Sequence, residues 1–400
     1  MTEVAGVRPA AATRKREDMR SSRHGSPCCR GGGFVSIALG LATLAGCSTD
    51  GGDPTGPGPG DPPAALLALH SVGQTMQGYE ASGEISPSGA AIDLGGLFDG
   101  DAMAVGGDVT DLTVVVTESD FGGDRALVVD VPSRSSVPVT FPDETVNPSK
   151  PFVVESRGSA FVGGRASNSV YELSITAPGT SPAVFARDVG EFIEKVVVTN
   201  DRVFVIDSNI DDVDFTFEPL GNSRVVVFEI SGELVREIEL PGLQATNAVL
   251  SAGSLVVLNA GTLGPAFEPE GNGSLVVIDP ASLQLSGPFP LAGNGVSIHE
   301  GADGRVYVAV TSDFVSIRTL RFDPTGPGFV DGPENPIQTR DADGVPLSCW
   351  AATALADGRL VCATFRSEQA GELFLLSADG GFIDSTPGGF GTTDLEIVAP

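Results

Sequence analysis

"VFVIDSNIDDVDFTFEPLGNSRVVVFEISGELVREIELPG" runs from Val203 to Gly242, and "LVVLNAGTLGPAFEPEGNGSLVVIDPASLQLSGPFPLAG" from Leu255 to Gly293. The second repeats the first, down to a shared Phe-Glu-Pro-x-Gly-Asn at 217–222 and 267–272, with an offset of 52 residues before the loop and 50 after it. Each copy holds several short runs of Val, Ile, Leu and Phe, broken by Gly, Asn, Asp and Pro about every ten residues. That is a pattern of strands and turns without helical periodicity. A repeat of this length with several strands must pack both faces of its small sheet on its neighbours, which points to propeller blades.

Looser copies lie on either side. A turn followed by an apolar strand recurs at "NDRVFVID" (Asn200), "AGSLVVLN" (Ala252), "ADGRVYVAV" (Ala302) and "ADGRLVCAT" (Ala356), with weaker versions at Arg157 and Thr110. The strand that follows it begins at Arg125, Ser169, Arg224, Ser274, Arg318 and Glu372, at spacings of 44, 55, 50, 44 and 54 residues, near one four-stranded blade each. The expected fold is therefore an all-β propeller over residues 65–400 with six complete repeats. "TTDLEIV" (Thr392–Val398) reads as the first strand of one more blade, and residues 65–100 hold strands without a complete blade around them. Together they make a composite seventh blade closed by the two termini, so that seven blades are favoured over six.

Residues 254–285 resemble the YVTN-type repeats of bacterial seven-bladed propellers, in which a strand ending in Asn precedes a strand ending in Ile-Asp and a polar turn. The likeness is looser over 202–242 and 304–324, and weak before residue 150. The literal "VVTN" at Val197–Asn200 lies on the wrong strand by register, and Asp207 takes the place of the family's Asn. The resemblance implies an exported binding or scaffold protein.

The address is written at the start of the chain. Arg8, Arg14, Lys15, Arg16, Arg20, Arg23 and Arg30 precede a nearly apolar run from Phe34 to Ala45. About a dozen apolar residues make a secretory signal, whereas a membrane span needs about 20. Leu44-Ala45-Gly46-Cys47 resembles the lipobox of bacterial lipoproteins, which implies cleavage after residue 46 and lipid attachment at Cys47. Translation starting at Met19 would leave a leader of ordinary length. Ser48 after the lipidated cysteine favours the outer membrane, by the sorting rule that the same resemblance implies. From Ser48 to Ala64 almost every residue is Gly, Pro, Asp, Ser or Thr, a composition with nothing to bury and so no means of offsetting the entropy of ordering. The expected organisation is a signal peptide over 1–46, a lipidated Cys and tether over 47–64, and the propeller over 65–400.

The whole chain has 23 Lys plus Arg against 52 Asp plus Glu. Without the leader's seven basic and three acidic side chains this becomes 16 against 49, a formal charge of −33. Such a surface repels nucleic acid and anionic headgroups and attracts cations and basic partners. Only Lys15, Lys150 and Lys195 are lysines, so anion sites are expected to rest on scattered arginines.

Cys349 and Cys362 flank an expected hairpin, and in an oxidising compartment they are expected to pair. No catalytic constellation is legible. After cleavage only His70 and His299 remain: His70 has no visible companion, and His299 in "SIHEGADG" reads as a solvated turn residue. One cluster raises a cofactor, calcium: Asp207, Asn209, Asp211 and Asp214, with Glu218 eleven residues after Asp207, alternate oxygen ligands as calcium requires, although Asp212 stands where a glycine usually allows the bend. The expected function is a monomeric, non-catalytic binding or scaffold module held to the membrane through Cys47, with a protein, glycan or small molecule as partner. The alternative is a lactonase-like propeller hydrolase using carboxylates and a metal at the central channel. A redox role like that of quinoproteins finds no cofactor-holding feature.

Overall fold

The computed structural model describes residues 66–95, 103–110, 113–119, 125–143, 145–199, 201–211, 218–264, 267–365 and 369–397. The expected signal peptide, Cys47 and the expected tether lie outside these residues. Seven four-stranded antiparallel sheets are present, together with a two-stranded ribbon, Ile210–Asp211 with Glu218–Pro219. The fold is a seven-bladed β-propeller.

In chain order the blades run over 103–140, 152–186, 193–239, 245–290, 294–329 and 349–387. The first strand of each is innermost. The seventh blade is the composite read from the sequence: Thr392–Ile397 supplies its inner strand, and Leu66–His70, Thr75–Ala81 and Ile85–Asp93 follow outward. Leu66 pairs with Ile397 and Ala68 with Leu395, so the first and last strands close the ring. Consecutive inner strands touch all the way round, including Thr392–Ile397 against Met103–Thr110.

Period-two alternation explains why the strands read as continuous apolar runs. In the fourth blade Leu255, Val257, Val276 and Ile278 pack on the third blade's Phe204, Ile206, Val225 and Val227. The intervening Val256, Leu258, Leu275 and Val277 pack on the fifth blade's Val306, Val308, Val310 and Phe322. Both faces of a blade are thus interior, and each sheet needs a neighbour on either side.

Antiparallel order also sorts the connections. Turns between a blade's first and second, and third and fourth, strands lie on one side of the ring, here the turn face. Loops between second and third strands, and the links to the next blade, lie on the other, the loop face. Leu66 enters on the turn face, because its strand begins where Thr392–Ile397 ends.

Cys349 and Cys362 form the expected disulfide, with a Cα–Cα distance of 5.3 Å. The turn at Ala356-Asp357-Gly358 does leave Cys362 opposite Ala352, while Cys349 lies opposite Thr364. The register shift between Cys349 and Ala351 brings the two together, a bulge that the hairpin reading lacked.

Removing the closing strand should do far more than remove nine residues. Truncation after Gly391 strips the inner strand from a blade whose Leu66, Ala68 and Tyr79 pack with Leu395 and with the sixth blade. We expect the truncated chain to lose its cooperative melt and become protease-sensitive in blades one, six and seven. Intact melting of that truncation, followed by circular dichroism, is the result that would contradict the clasp.

Candidate functional site in the central channel

The inner strands are mainly apolar, yet several carry a charged residue within them: Lys195 in "FIEKVVV", His299 and Glu300 in "VSIHEG", Asp394 and Glu396 in "TTDLEIV". The ring brings these together on its axis. A cavity of about 270 Å³ is lined by Lys150, Phe152, Lys195, Val249, His299, Glu300 and Glu396, among others. These residues come from blades two, three, four, five and seven, mostly from the later halves of the inner strands. The cavity therefore lies in the half of the channel nearer the turn face.

Lys150, just before the second blade's inner strand, reaches the seventh blade. Its Nζ donates to Asp394 Oδ1 at 2.7 Å and to Glu396 Oε1 at 3.1 Å. Burial pulls this ammonium down, but the two carboxylates more than offset it and hold it above the ordinary lysine range. Lys195 Nζ donates to the Pro151 carbonyl at 2.6 Å and lies 5.8 Å from the Phe152 ring centroid. The two lysines of the described residues thus meet in one channel, both engaged by oxygen acceptors of the protein itself.

His299 is only 5% exposed and is no turn residue; it pairs with Tyr307 inside the fifth blade. Its Nδ1 lies 3.6 Å from Asp394 Oδ1. Burial pushes the imidazole down to about 4, against the pull of Asp394 and with the push of Lys150. The ring is neutral at pH 7, and the facing carboxylate assigns its proton to Nδ1. Nε2 is then the lone-pair nitrogen, buried and without a hydrogen-bond partner among the described residues.

The first residue of the acidic loop holds the backbone of the incoming link. Asp207 is fully buried at the end of the third blade's second strand, opposite Ile193. Its Oδ1 accepts from the backbone N–H of Phe192 (2.9 Å), Asn209 (3.0 Å) and Glu191 (3.2 Å), and its Oδ2 takes Arg224 Nε at 2.7 Å. Gly190 is obligatory here, since a Cβ would sit 2.6 Å from the Asp207 carboxyl carbon. Asn209 uses its amide on the Asn222 carbonyl, and Asp211 lies opposite Glu218 in the ribbon. Asp214 is outside the described residues. Among the described residues no group of three or more His, Cys, Asp or Glu is placed to hold a metal ion.

The same register carries other polar side chains, of which Asn259 donates its amide to Ser274 Oγ at 3.2 Å and His70 repeats the latch. Asn259 ends the fourth blade's second strand opposite Ala245, as Asp207 lies opposite Ile193. His70, opposite Thr392, ends that strand in the seventh blade, so the companion missing from the sequence reading exists. Its Nδ1 accepts from Gly389 N–H at 3.3 Å and pairs with Thr392 Oγ1 at 2.8 Å, and burial pushes it down to about 4.

Exposed large apolar side chains are unevenly placed. Val72, Leu220, Leu263, Phe267, Phe314, Val315 and Phe390 all lie on loop-face segments. The others are on outermost strands or in the 330–348 excursion, and among the described residues none is in the blade turns of the opposite face. Acidic Asp211, Glu218, Glu268, Glu270 and Asp313 share these loops.

No protein-family model matches the chain, and no curated protein matches it. Solved structures do. Hydrazine synthase of Kuenenia stuttgartiensis aligns over 72% of this chain and 88% of its own, with a TM-score of 0.55 and 14% identity. Dihydro-heme d1 dehydrogenase NirN, in complex with DHE, covers 84% of this chain and 76% of its own, with a TM-score of 0.52 and 12% identity. A chain of a nidogen/laminin complex aligns at a TM-score of 0.45 and 12% identity, over 66% and 91% of the two chains. At these identities the likeness is one of fold.

Two histidines buried neutral should set the acid limit of stability. Their pKa values of about 4 lie below the unfolded value, so the unfolded chain gains protons first as pH falls below about 6.5. Stability is full above that pH and declines toward pH 4, by up to about 3 kcal/mol for each histidine. His299→Gln should remove about half of the dependence of the denaturant midpoint on pH across this window, leaving the share of His70. A wild-type profile that stays level from 6.5 to 4 would overturn the assignment.

Proposed function

We propose that this protein is a lipid-anchored cell-envelope protein whose propeller is a non-catalytic binding module that engages its partner through the loop face. The observation that carries the reading is the separation of the two faces. The chain enters the ring at Leu66 on the turn face, and the exposed apolar side chains Phe267, Phe314, Val315 and Phe390 stand on the opposite one. With Cys47 as the lipidated residue and 48–64 as the tether, the loop face is not the face at which the chain enters the ring. At about 3.1 Å per residue for Pro-rich chain, the tether reaches roughly 50 Å. The lipobox tetrad, the apolar run before it and the likeness of residues 254–285 to YVTN-type repeats support this reading, and Ser48 favours the outer membrane. Apolar loops beside surplus carboxylates suit a partner with basic and apolar groups.

A second reading, a lactonase-like hydrolase working in the channel, is favoured by one observation: His299 faces Asp394 through Nδ1 and keeps Nε2 unprotonated, as a general base requires. It demands turnover of an ester or lactone that His299→Gln abolishes.

The anchor and the face are tested together in the native host. Cys47→Ala should end incorporation of labelled fatty acid and release the protein from the membrane fraction. Photo-crosslinking residues at Phe267 and Phe314 should capture a common partner, while the same residue at Asp279 or Arg305 should not. Capture confined to the turn-face positions would overturn the reading.

A further inference from the structure

We propose that the channel cavity is a binding site for a small organic ammonium ion, a ligand that joins N–H donors and positive charge to a short apolar body. The inference is independent of the docking face and of the lipid anchor.

Three observations converge on this class. At about 270 Å³ the cavity lies near the lower end of the range for ligand pockets, roughly 300–1,000 Å³, and far above the ~10–15 Å³ that one water needs. His299 lines it with a neutral ring, and Nε2 is a buried acceptor without a donor. An acceptor left so is costly, and with no donor among the described residues, an occupant of the cavity can supply one.

Charge then selects among donors. Beside the neutral imidazole the described residues place three carboxylates, Glu300, Asp394 and Glu396, against the ammonium groups of Lys150 and Lys195. The balance is one negative charge, inside a chain whose formal charge is −29, and a channel with low-dielectric walls focuses that field on cations. Lys150 is itself the precedent: its ammonium already sits between Asp394 and Glu396 at 2.7 and 3.1 Å. Val249, Ile298 and Leu395 line the same cavity and offer contact to an alkyl body. Anions meet the carboxylates, and a metal ion lacks a group of three protein ligands among the described residues.

The test uses the full chain in detergent, labelled with ¹⁵N at histidine, at pH 7. Propylammonium is the probe, propanol its uncharged counterpart and propionate its anionic one, with Zn²⁺ and Ca²⁺ as metals. Propylammonium should shift the His299 ring-nitrogen resonance saturably, at a concentration at least tenfold below any propanol effect. The resonance is identified by its absence in His299→Gln. Glu300→Gln, at an exposed position and with its melting temperature measured beside wild type, should weaken propylammonium binding several-fold in calorimetry, and His299→Gln about tenfold. A saturable response to propionate or Zn²⁺ without one to propylammonium would overturn the proposal. So would no response to propylammonium at any concentration that leaves the protein folded, or an affinity unchanged in both variants.

Discussion

Each blade of this propeller buries both of its faces, and that constraint organises the rest. A sheet such as 245–290, with Val257 and Ile278 facing one neighbour and Val256 and Val277 the other, has no solvent side to offer. An open row of such sheets would end in two large apolar faces. Closing the row into a ring removes both ends at once. The ring closes inside a single blade: Leu67, Leu69 and Met76 pack on the first blade, and Leu66, Ala68 and Leu395 on the sixth. The first and last described strands therefore share one sheet, and the stability of the array depends on antiparallel pairing between Leu66–His70 and Thr392–Ile397.

The same economy explains the polar residues at the strand ends. The link into each blade must turn sharply from an outer strand to the axis, and its backbone N–H groups need partners. In two blades a side chain at the end of the second strand supplies one. In the third blade it is Asp207 and in the seventh His70. A carboxylate and an imidazole, acceptors of different shape, solve one geometric problem at the same register, and neither residue type announces that use in the sequence.

Much of the fold was legible because strand period and repeat length are sequence properties. The pair 203–242 and 255–293 gives the blade, and "TTDLEIV" gives the clasp. The disulfide was legible as a pair but not in its register, since a bulge at Trp350 is a local backbone event that residue types barely announce. The channel was not legible at all. Lys150, Lys195, His299 and Asp394 are separated by 45 to 244 positions, and only the ring makes them neighbours. A signal did exist: single charged residues inside first strands that are otherwise apolar. It could be read only after each strand had been assigned to the innermost place, because the same charge on an outer strand would simply be solvated.

The polar channel is also energetically odd, and the oddity bears on use. Desolvating Lys150 and Asp394 costs several kcal/mol per ion, and a well-packed apolar replacement is often as stable or more so. This protein has other means of filling an axis: its inner strands already carry Val196, Val198, Ala248 and Ile298. Stability alone would not select Lys150 across the channel from Asp394 and Glu396, with a neutral histidine holding an unmet lone pair beside them. A site that exchanges partners would select it, since its groups must stay polar to receive a ligand and must pair with one another to be tolerated without one. The Lys150 ammonium, held by two carboxylates at the cavity wall, is an arrangement that satisfies both demands.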